Sequence, residues 1–469
     1  MVEPLSIRRA VYLYDVLMQK HCVVLLWMNW YSAPHMIYRR LYTFLFYTLL
    51  PLILLRLLFR SIKAPAYRRR WAERFGLFSF PCTDKPALWL HAVSVGEALA
   101  AVPLIKELLK QYPDSILVVT TTTPTGSERV TTLFAQAIAE QKIFHVYAPY
   151  DIPLALNRFI KKINPRLTVV METELWPNMI HCCFVRRIPV LLANARLSEK
   201  SARGYARLSG LTKEMLSEVT VIAAQNQQDG DRFTRLGLDS HKLKVTGSIK
   251  FDLDLSVEVK QKAVELKKAW SNNNERLVLL AASTHQGEDE IIINAFKKWK
   301  KIIPDLLLVL VPRHPERFNN IYQLCVDHGF KTRRRSEMEK SAAILINDID
   351  ILIGDTMGEL LAFYGASDIA FVGGSLIPVG GHNLIEPAAW ALPMVCGKHL
   401  FNFAEVSELL IRQNALFICE TEDDLEQYVE TLLLGGEKRK TMGLAAQKVA
   451  HENRGALQRL LLEIKPFLL

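Results

Sequence analysis

The sequence predicts an α/β protein with two doubly wound parallel sheets and an apolar helix ahead of them. Three observations carry this. From Pro86 onward, short apolar runs alternate with segments whose apolar residues recur at helical spacing. The alternation begins again after a charged connection over residues 244–269. Before both lies LYTFLFYTLLPLILL, fifteen uncharged residues between Arg40 and Arg56. A chain of 469 residues is long for one core, so two domains plus an appendage is the natural expectation.

The apolar run, counted on through Phe59, gives nineteen residues with Arg56 near one end. As a helix it measures roughly 28 Å, marginal for crossing a bilayer. Arg56 can snorkel to the interface, and Pro51 kinks such a helix without forbidding it. Residues 36–62 are therefore read as a membrane anchor, spanning or lying in the interface. A buried core helix and a cleaved signal peptide are the competing readings. Ala64-Pro65-Ala66 has the look of a cleavage site, but it sits between Lys63 and Arg68-Arg69-Arg70. That basic flank should stay inside and keep the rest of the chain cytoplasmic. Residues 1–35 form an N-terminal extension, and Met36 is a candidate alternative start.

Charge agrees with a membrane rather than a nucleic acid. Residues 1–75 hold twelve Lys/Arg against three Asp/Glu, while the other 394 residues are near balance. A nucleic-acid binder would carry its basic residues on the globular part. Here they flank an apolar run, as for an anionic membrane surface. The seven cysteines are scattered without CxxC spacing, which excludes a disulfide framework or zinc site as the organising feature. The histidines are scattered too, so no His-based metal centre is expected.

In the first half, strands are expected at 87–90, 116–120, 145–147, 167–171, 190–193 and 221–224, with helices over 96–112 and 125–139 between them. In the second half, strands are expected at 277–281, 306–311, 343–346, 369–372 and 393–396. Apolar strands alternating with helices imply a parallel sheet covered on both faces. Residues 63–246 and 247–469 are read as two Rossmann-like domains facing a cleft, with a C-terminal helix over 438–462 packing back across the junction. Ligands bind at the carboxyl ends of such strands. The unusual segments lie there: 91–97, 121–126, 172–178, 283–288, 312–318, 354–360 and 380–386.

Of these, Gly380-Gly381-His382-Asn383 is the most informative. Strand, Gly-rich loop and helix start build an anion site from backbone N–H groups. Glu386, three residues after Asn383, can turn toward a sugar hydroxyl beside a phosphate. The arrangement suits a nucleotide-sugar donor; an ordinary βα turn with a capped helix is the plainer alternative. In HAVSVGE (91–97), Glu97 stands in a first helical turn, placed to accept a proton from a bound hydroxyl. The same spacing fits a carboxylate that only complements the helix dipole. In METELWPN (171–178), Glu172 and Glu174 either enter the cleft or face solvent. Arg313 can make a forked phosphate contact, whereas Arg317 reads as a surface residue. Met357-Gly358-Glu359 offers backbone N–H groups, and Lys250 can place a charge beside a leaving group. The two DxD matches are at chance level, so no metal is expected; Arg313, Lys250 and the loop at Asn383 must then neutralise the departing phosphate.

Nine blocks, in order, resemble the 3-deoxy-D-manno-octulosonic acid (Kdo) transferases of lipopolysaccharide assembly. They are KAPAYRRRWAERFG, HAVSVGE, TTTTPTG, METELWPN, GSIKFD, ASTHQGE, VPRHPERF, GDTMGEL and GGHNLIEPA, spread from residue 63 onward. The resemblance implies a GT-B glycosyltransferase fold and a membrane anchor at the cytoplasmic face of the inner membrane. It implies metal-free, inverting transfer of Kdo from CMP-Kdo to a lipid A precursor, with no cofactor beyond that donor. By motif it makes Glu97 the base and Glu172 and Lys250 transition-state stabilisers. It makes Pro312, Arg313, Met357, Gly358, Glu359, Asn383, Leu384, Ile385 and Glu386 the CMP-binding positions. The hinge reads GSIKFD where GNLKFD is commoner, and Leu384 replaces a proline. Two rivals stay open: another GT-B transferase using a UDP-sugar and a lipid acceptor, and a membrane-tethered nucleotide-sugar binder without turnover.

Overall fold

The computed structural model describes residues 36–253, 255–271, 276–338 and 348–468. The chain divides into two compact units, residues up to Ile249 together with Gly455–Leu469, and Lys250–Arg454.

The first unit holds a seven-stranded parallel sheet of β1 (Ala87–His91), β2 (Ile116–Thr121), β3 (Ile143–Tyr147), β4 (Pro165–Met171), β5 (Val190–Ala195), β6 (Val221–Ala224) and β7 (Leu243–Val245). Their order is β3-β2-β1-β4-β5-β6-β7, so the winding direction reverses between β1 and β4. Side chains alternate across it: Trp89 enters one core while Leu88 and Leu90 enter the other. A sheet buried on both faces needs this, and it explains why its strands read as continuous apolar runs. Residues 455–468, left with the second domain on sequence grounds, pack in this unit. The reason is apolar: Ala456, Leu460, Leu461 and Ile464 close the core against Leu88 and Leu90.

The second unit repeats the plan with β8 (Val278–Thr284), β9 (Leu307–Pro312), β10 (Thr332–Arg334), β11 (Ile351–Ile353), β12 (Ile369–Val372), β13 (Met394–Gly397) and β14 (Leu416–Cys419), in the order β10-β11-β9-β8-β12-β13-β14. Here the direction reverses between β8 and β12. The strand expected at 343–346 lies outside the described residues. The strand bordering β9 is β11, which the sequence reading did not find, and β7, β10 and β14 were missed as well. Three of these four are edge strands and the fourth, β11, lies next to one, where three or four residues suffice to pair.

Ahead of the first sheet, Met36–Lys63 is one helix of 28 residues with Pro51 inside it. Residues 37–62 include an 18-residue stretch of mean hydropathy 1.9, and the helix is long and apolar enough to cross a membrane. From Phe44 to Ile62 many large apolar side chains are exposed. The helix start is fastened to the first unit by polar groups. Asn178 Oδ1 accepts from Thr43 Oγ1 (2.9 Å) and Arg39 Nη1 (3.4 Å), and Arg39 pairs with Glu214 (3.5 Å). Asn178 is itself fixed by Asp151, which accepts from the backbone N–H groups of Asn178 (3.1 Å) and Met179 (2.7 Å). Tyr38 lies so close over Gly210 that a Cβ there would collide with its ring.

Candidate active site

At the reversal point of the first sheet, β1 leads into Ala92–Glu97. Ser94 caps the helix Val95–Ala100, accepting from Glu97 N (3.2 Å) while donating to Glu97 Oε1 (2.7 Å). Val93 N–H donates to Glu97 Oε2 (2.7 Å). The carboxylate is thus held back over the start of its own helix, close to a capping box. It is nonetheless buried, and burial pushes it up to about 7. The Ser94 and Val93 hydrogen bonds pull the other way, while Glu174 and Glu172 add repulsion. A group poised there is half ionised near neutrality, the condition for a general base. The positive end of the helix favours the ionised form, but desolvation outweighs it.

Glu172 and Glu174 follow β4, the neighbour of β1. Glu172 sits at φ 53°, a left-handed conformation unusual for this residue, with its N–H bonded to Ala193 O (2.9 Å). Glu174 accepts from Trp176 Nε1 (2.8 Å), and burial raises its carboxyl. Both glutamates are half-buried rather than solvent-facing. Beneath them His91 is fully buried with Nδ1 on Thr120 Oγ1 (2.9 Å), and its ring meets Trp176 edge-on at 4.6 Å. Burial pushes that imidazole down to about 3, so it is neutral packing.

In the second unit the loops after β11, β9, β8 and β12 stand side by side, because those strands are consecutive neighbours. Pro312 ends β9 and Arg313 follows it, exposed, with its N–H on Thr284 O (3.0 Å). Met357 is 71 % exposed, and Gly358 turns at φ +85°. Glu359 is buried and already engaged by Lys262 (2.6 Å), Arg335 (3.0 Å) and the Thr356 hydroxyl. Burial would raise its pKa, but these partners outweigh that and hold it below the usual carboxylate value. Asn383 donates to Glu386 Oε1 (3.0 Å) and accepts from Ile385 N (3.0 Å). Leu384 and Ile385 are buried in the core beneath. Burial raises the Glu386 carboxyl, against Asn383 and Arg313. Lys250 lies in the one-turn helix Ile249–Phe251, where the chain leaves the first unit.

Two readings need correction. The helix after Asn383 spans only Ile385–Ala389, too short to focus a dipole on an anion. The N–H groups of Gly380 and Gly381 do not gather on an anion: both donate to Gly374 O (3.1 and 2.7 Å). A nest of N–H groups does form earlier in the same loop, at Gly374–Leu376, but a carboxylate of the protein fills it. Glu288 Oε1 accepts from Ser375 N (2.9 Å) and Leu376 N (3.0 Å). Its Oε2 accepts from Gly374 N (2.7 Å) and His285 N (2.9 Å). Arg317, read as a surface residue, is instead tied to buried Asp289 and to Thr284 O (2.9 Å).

A family model described as 3-deoxy-D-manno-octulosonic-acid transferase (kdotransferase) matches residues 69–253. The chain is 45 % identical to the 3-deoxy-D-manno-octulosonic acid transferase of Haemophilus influenzae, over 92 % of this chain and 99 % of that one. The chain belongs to the Kdo transferase family. The Bordetella pertussis transferase is 33 % identical over 90 % of this chain and 98 % of its own length. A glycosyltransferase structure from Rickettsia africae superposes with a TM-score of 0.52 at 16 % identity, covering 82 % of this chain and 98 % of that one. It supports the two-sheet fold alone.

As a Kdo transferase, the protein carries features that motif reading passed over. Lys262 and Arg335 flank Glu359, and Glu288 anchors the glycine loop. His285, His314 and His382, separated by up to 97 positions, gather at adjacent strand ends. Their one sequence signal is that each lies in a loop following a strand. Among the described residues, no three His, Cys, Asp or Glu side chains are grouped as metal ligands.

Proposed function

We propose that the protein transfers Kdo from CMP-Kdo to a lipid A precursor, with inversion and without a metal ion, at the cytoplasmic face of the inner membrane. The observation that carries this reading is Glu97: a buried carboxylate pushed up to about 7 at the reversal point of the first sheet. Glu97 takes the proton of the acceptor hydroxyl as its oxygen attacks the anomeric carbon of Kdo. The bond from that carbon to the phosphate oxygen breaks, and its electron pair leaves with CMP. A single displacement inverts the anomeric centre. Glu172 and Lys250 stabilise the transition state, and Arg313 meets the phosphate charge.

CMP binds the second unit through Pro312, Arg313, Met357, Gly358, Glu359 and Asn383–Glu386. Two features support this: their loops lie side by side at the strand ends, and the Gly358 turn is open. The acceptor enters on the first unit, whose apolar helix reaches the membrane. Of the basic segment, Arg69 is exposed and serves to draw in an acidic lipid. Arg70 is already held by Glu73 (2.7 Å), Ser127 (3.0 Å) and His145 O (3.1 Å), so its part is to fix the linker.

The test is CMP release from CMP-Kdo by the detergent-solubilised protein in excess chelator, with and without a lipid A precursor. Release that requires the lipid and survives the chelator is expected. CMP binding without release, or release only with added metal, would sink the reading.

A further inference from the structure

Three histidines meet at the reversal point of the second sheet. His285 follows β8 by one residue and His314 follows β9 by two, while His382 lies in the loop after β12. The His285 and His382 rings are parallel within 8°, their centroids 5.1 Å and their Nε2 atoms 2.8 Å apart, so they meet edge to edge. The His314 ring stands edge-on to His285 at 5.3 Å. Gly374 makes room for the pair: a Cβ there would come within 3.1 Å of His382 and 3.5 Å of His285.

Two imidazole nitrogens at that distance must share one proton, one donating and the other accepting. A further proton can be added only at the Nδ1 of the donating ring. That keeps the bridge and makes it a charge-assisted hydrogen bond. Two added protons would set N–H against N–H and break it. The pair is therefore built to hold zero or one positive charge.

We infer that the His285–His382 pair binds an anionic oxygen of the donor, phosphate or sugar carboxylate, and takes one proton from solvent as the donor enters. This rests on the donor site proposed above. The surroundings keep the empty pair neutral. Burial pushes His382 down to about 4, helped by Arg313, His285 and His314. Burial also lowers His285, with His314, Arg317 and Arg313 adding to it and Glu288 opposing. Glu288 is the nearest counter-charge, but its oxygens are taken up by four backbone N–H groups. Glu386 interacts with Arg313 and Asn383, and Asp289 with Arg317 and Thr284. An incoming anion supplies the missing negative charge, so the imidazole pKa rises on binding and a proton is taken up.

The experiment titrates CMP into the full detergent-solubilised chain by calorimetry at pH 6.5, in two buffers of different ionisation heat. Wild type should take up a measurable fraction of a proton more than His382→Gln. Comparing the two cancels the titration of the phosphate itself. Affinity in His382→Gln and in His285→Gln should be about tenfold weaker at pH 6, with the gap closing by pH 8. If a variant does not fold, the wild-type histidine ring signals decide by NMR over pH 5–8: one ring must titrate at a higher midpoint with ligand bound. Repeating with CMP-Kdo in the absence of acceptor identifies the oxygen. An effect with both ligands assigns the phosphate, and an effect with CMP-Kdo alone assigns the sugar carboxylate. Equal proton uptake and affinity in wild type and variants with either ligand, or unmoved ring signals, overturns the inference and leaves the donor site standing. A wild type that binds neither ligand overturns the donor site and the inference with it.

Discussion

Glu97 and Glu288 occupy corresponding places. Each stands in the first turn of the helix that follows the first strand of its sheet in the chain, β1 or β8, beside the point where the winding reverses. Each folds back to accept a backbone N–H from the loop it has just left, Val93 or His285, and Glu288 also takes three from the loop after β12. They differ in how many. Glu288 receives four backbone N–H groups and no solvent reaches it. Glu97 receives one backbone N–H and one hydroxyl. A carboxylate with every lone pair committed is scaffold. One that is buried but half-satisfied has room to take a proton. The position in the fold is the same; the donor count separates chemistry from architecture.

Substituting Glu97→Gln gives the largest expected effect on rate. A glutamine fits the site: its carbonyl accepts from Val93 N–H and its amide donates to Ser94 Oγ. The fold and CMP binding should therefore survive while kcat falls by roughly 10²- to 10⁴-fold, the usual worth of a positioned base. The measurement is acceptor-dependent CMP release beside CMP affinity. Normal turnover would leave Glu97 as a helix cap and erase the distinction from Glu288.

The same conservative change at Glu288 should act on stability instead. Glu288→Gln turns an amide N–H₂ toward two of the four backbone N–H donors, with no acceptor to satisfy them. Buried donors left facing donors cost roughly 3–5 kcal/mol in all. In a unit of this size that lowers Tm by roughly 10 °C. CMP affinity should drop with it, because Gly374–Leu376 lose their tether. A Glu288→Gln protein with wild-type Tm would show that the nest tolerates an amide.

The comparison also shows what the sequence could and could not say. The strands were readable because a sheet buried on both faces selects apolar residues throughout, as in β1 and β9. Short strands such as β11, three residues long, lack the length to announce themselves. Glu97 was readable as a first-turn carboxylate, and the resemblance favoured chemistry over capping. In the structure it folds over its helix start like a cap and is also buried and half-satisfied, as the chemical role requires. The loop after β12 was readable as a nest of N–H groups, but the sequence pointed to Gly380-Gly381, whereas the nest forms at Gly374–Leu376, and a nest takes any anion. Only the fold, which brings Glu288 across 86 positions to Gly374, shows that the protein supplies its own. The histidine cluster was illegible for a similar reason. His285, His314 and His382 are near only because β9, β8 and β12 are neighbours, an order that periodicity does not encode.

The smallest expected effect tests the half-satisfied state of Glu97 directly. As the base, Glu97 must be ionised, so kcat/KM should rise tenfold per pH unit below about 7 and level off above it. The two largest influences on that midpoint are burial, which raises it, and the Ser94 hydroxyl, which lowers it. Ser94→Ala removes the lowering partner and leaves the Val93 N–H in place. The rising limb should move to higher pH by a few tenths to about one unit, with the plateau rate little changed. The helix also loses its cap, a cost of about 1 kcal/mol that thermal unfolding will read separately. A lowered plateau with an unmoved midpoint would mean that Ser94 positions Glu97 without tuning it. A shifted midpoint with the plateau intact would show that the one hydroxyl distinguishing Glu97 from a plain buried carboxylate sets the pH at which the enzyme works.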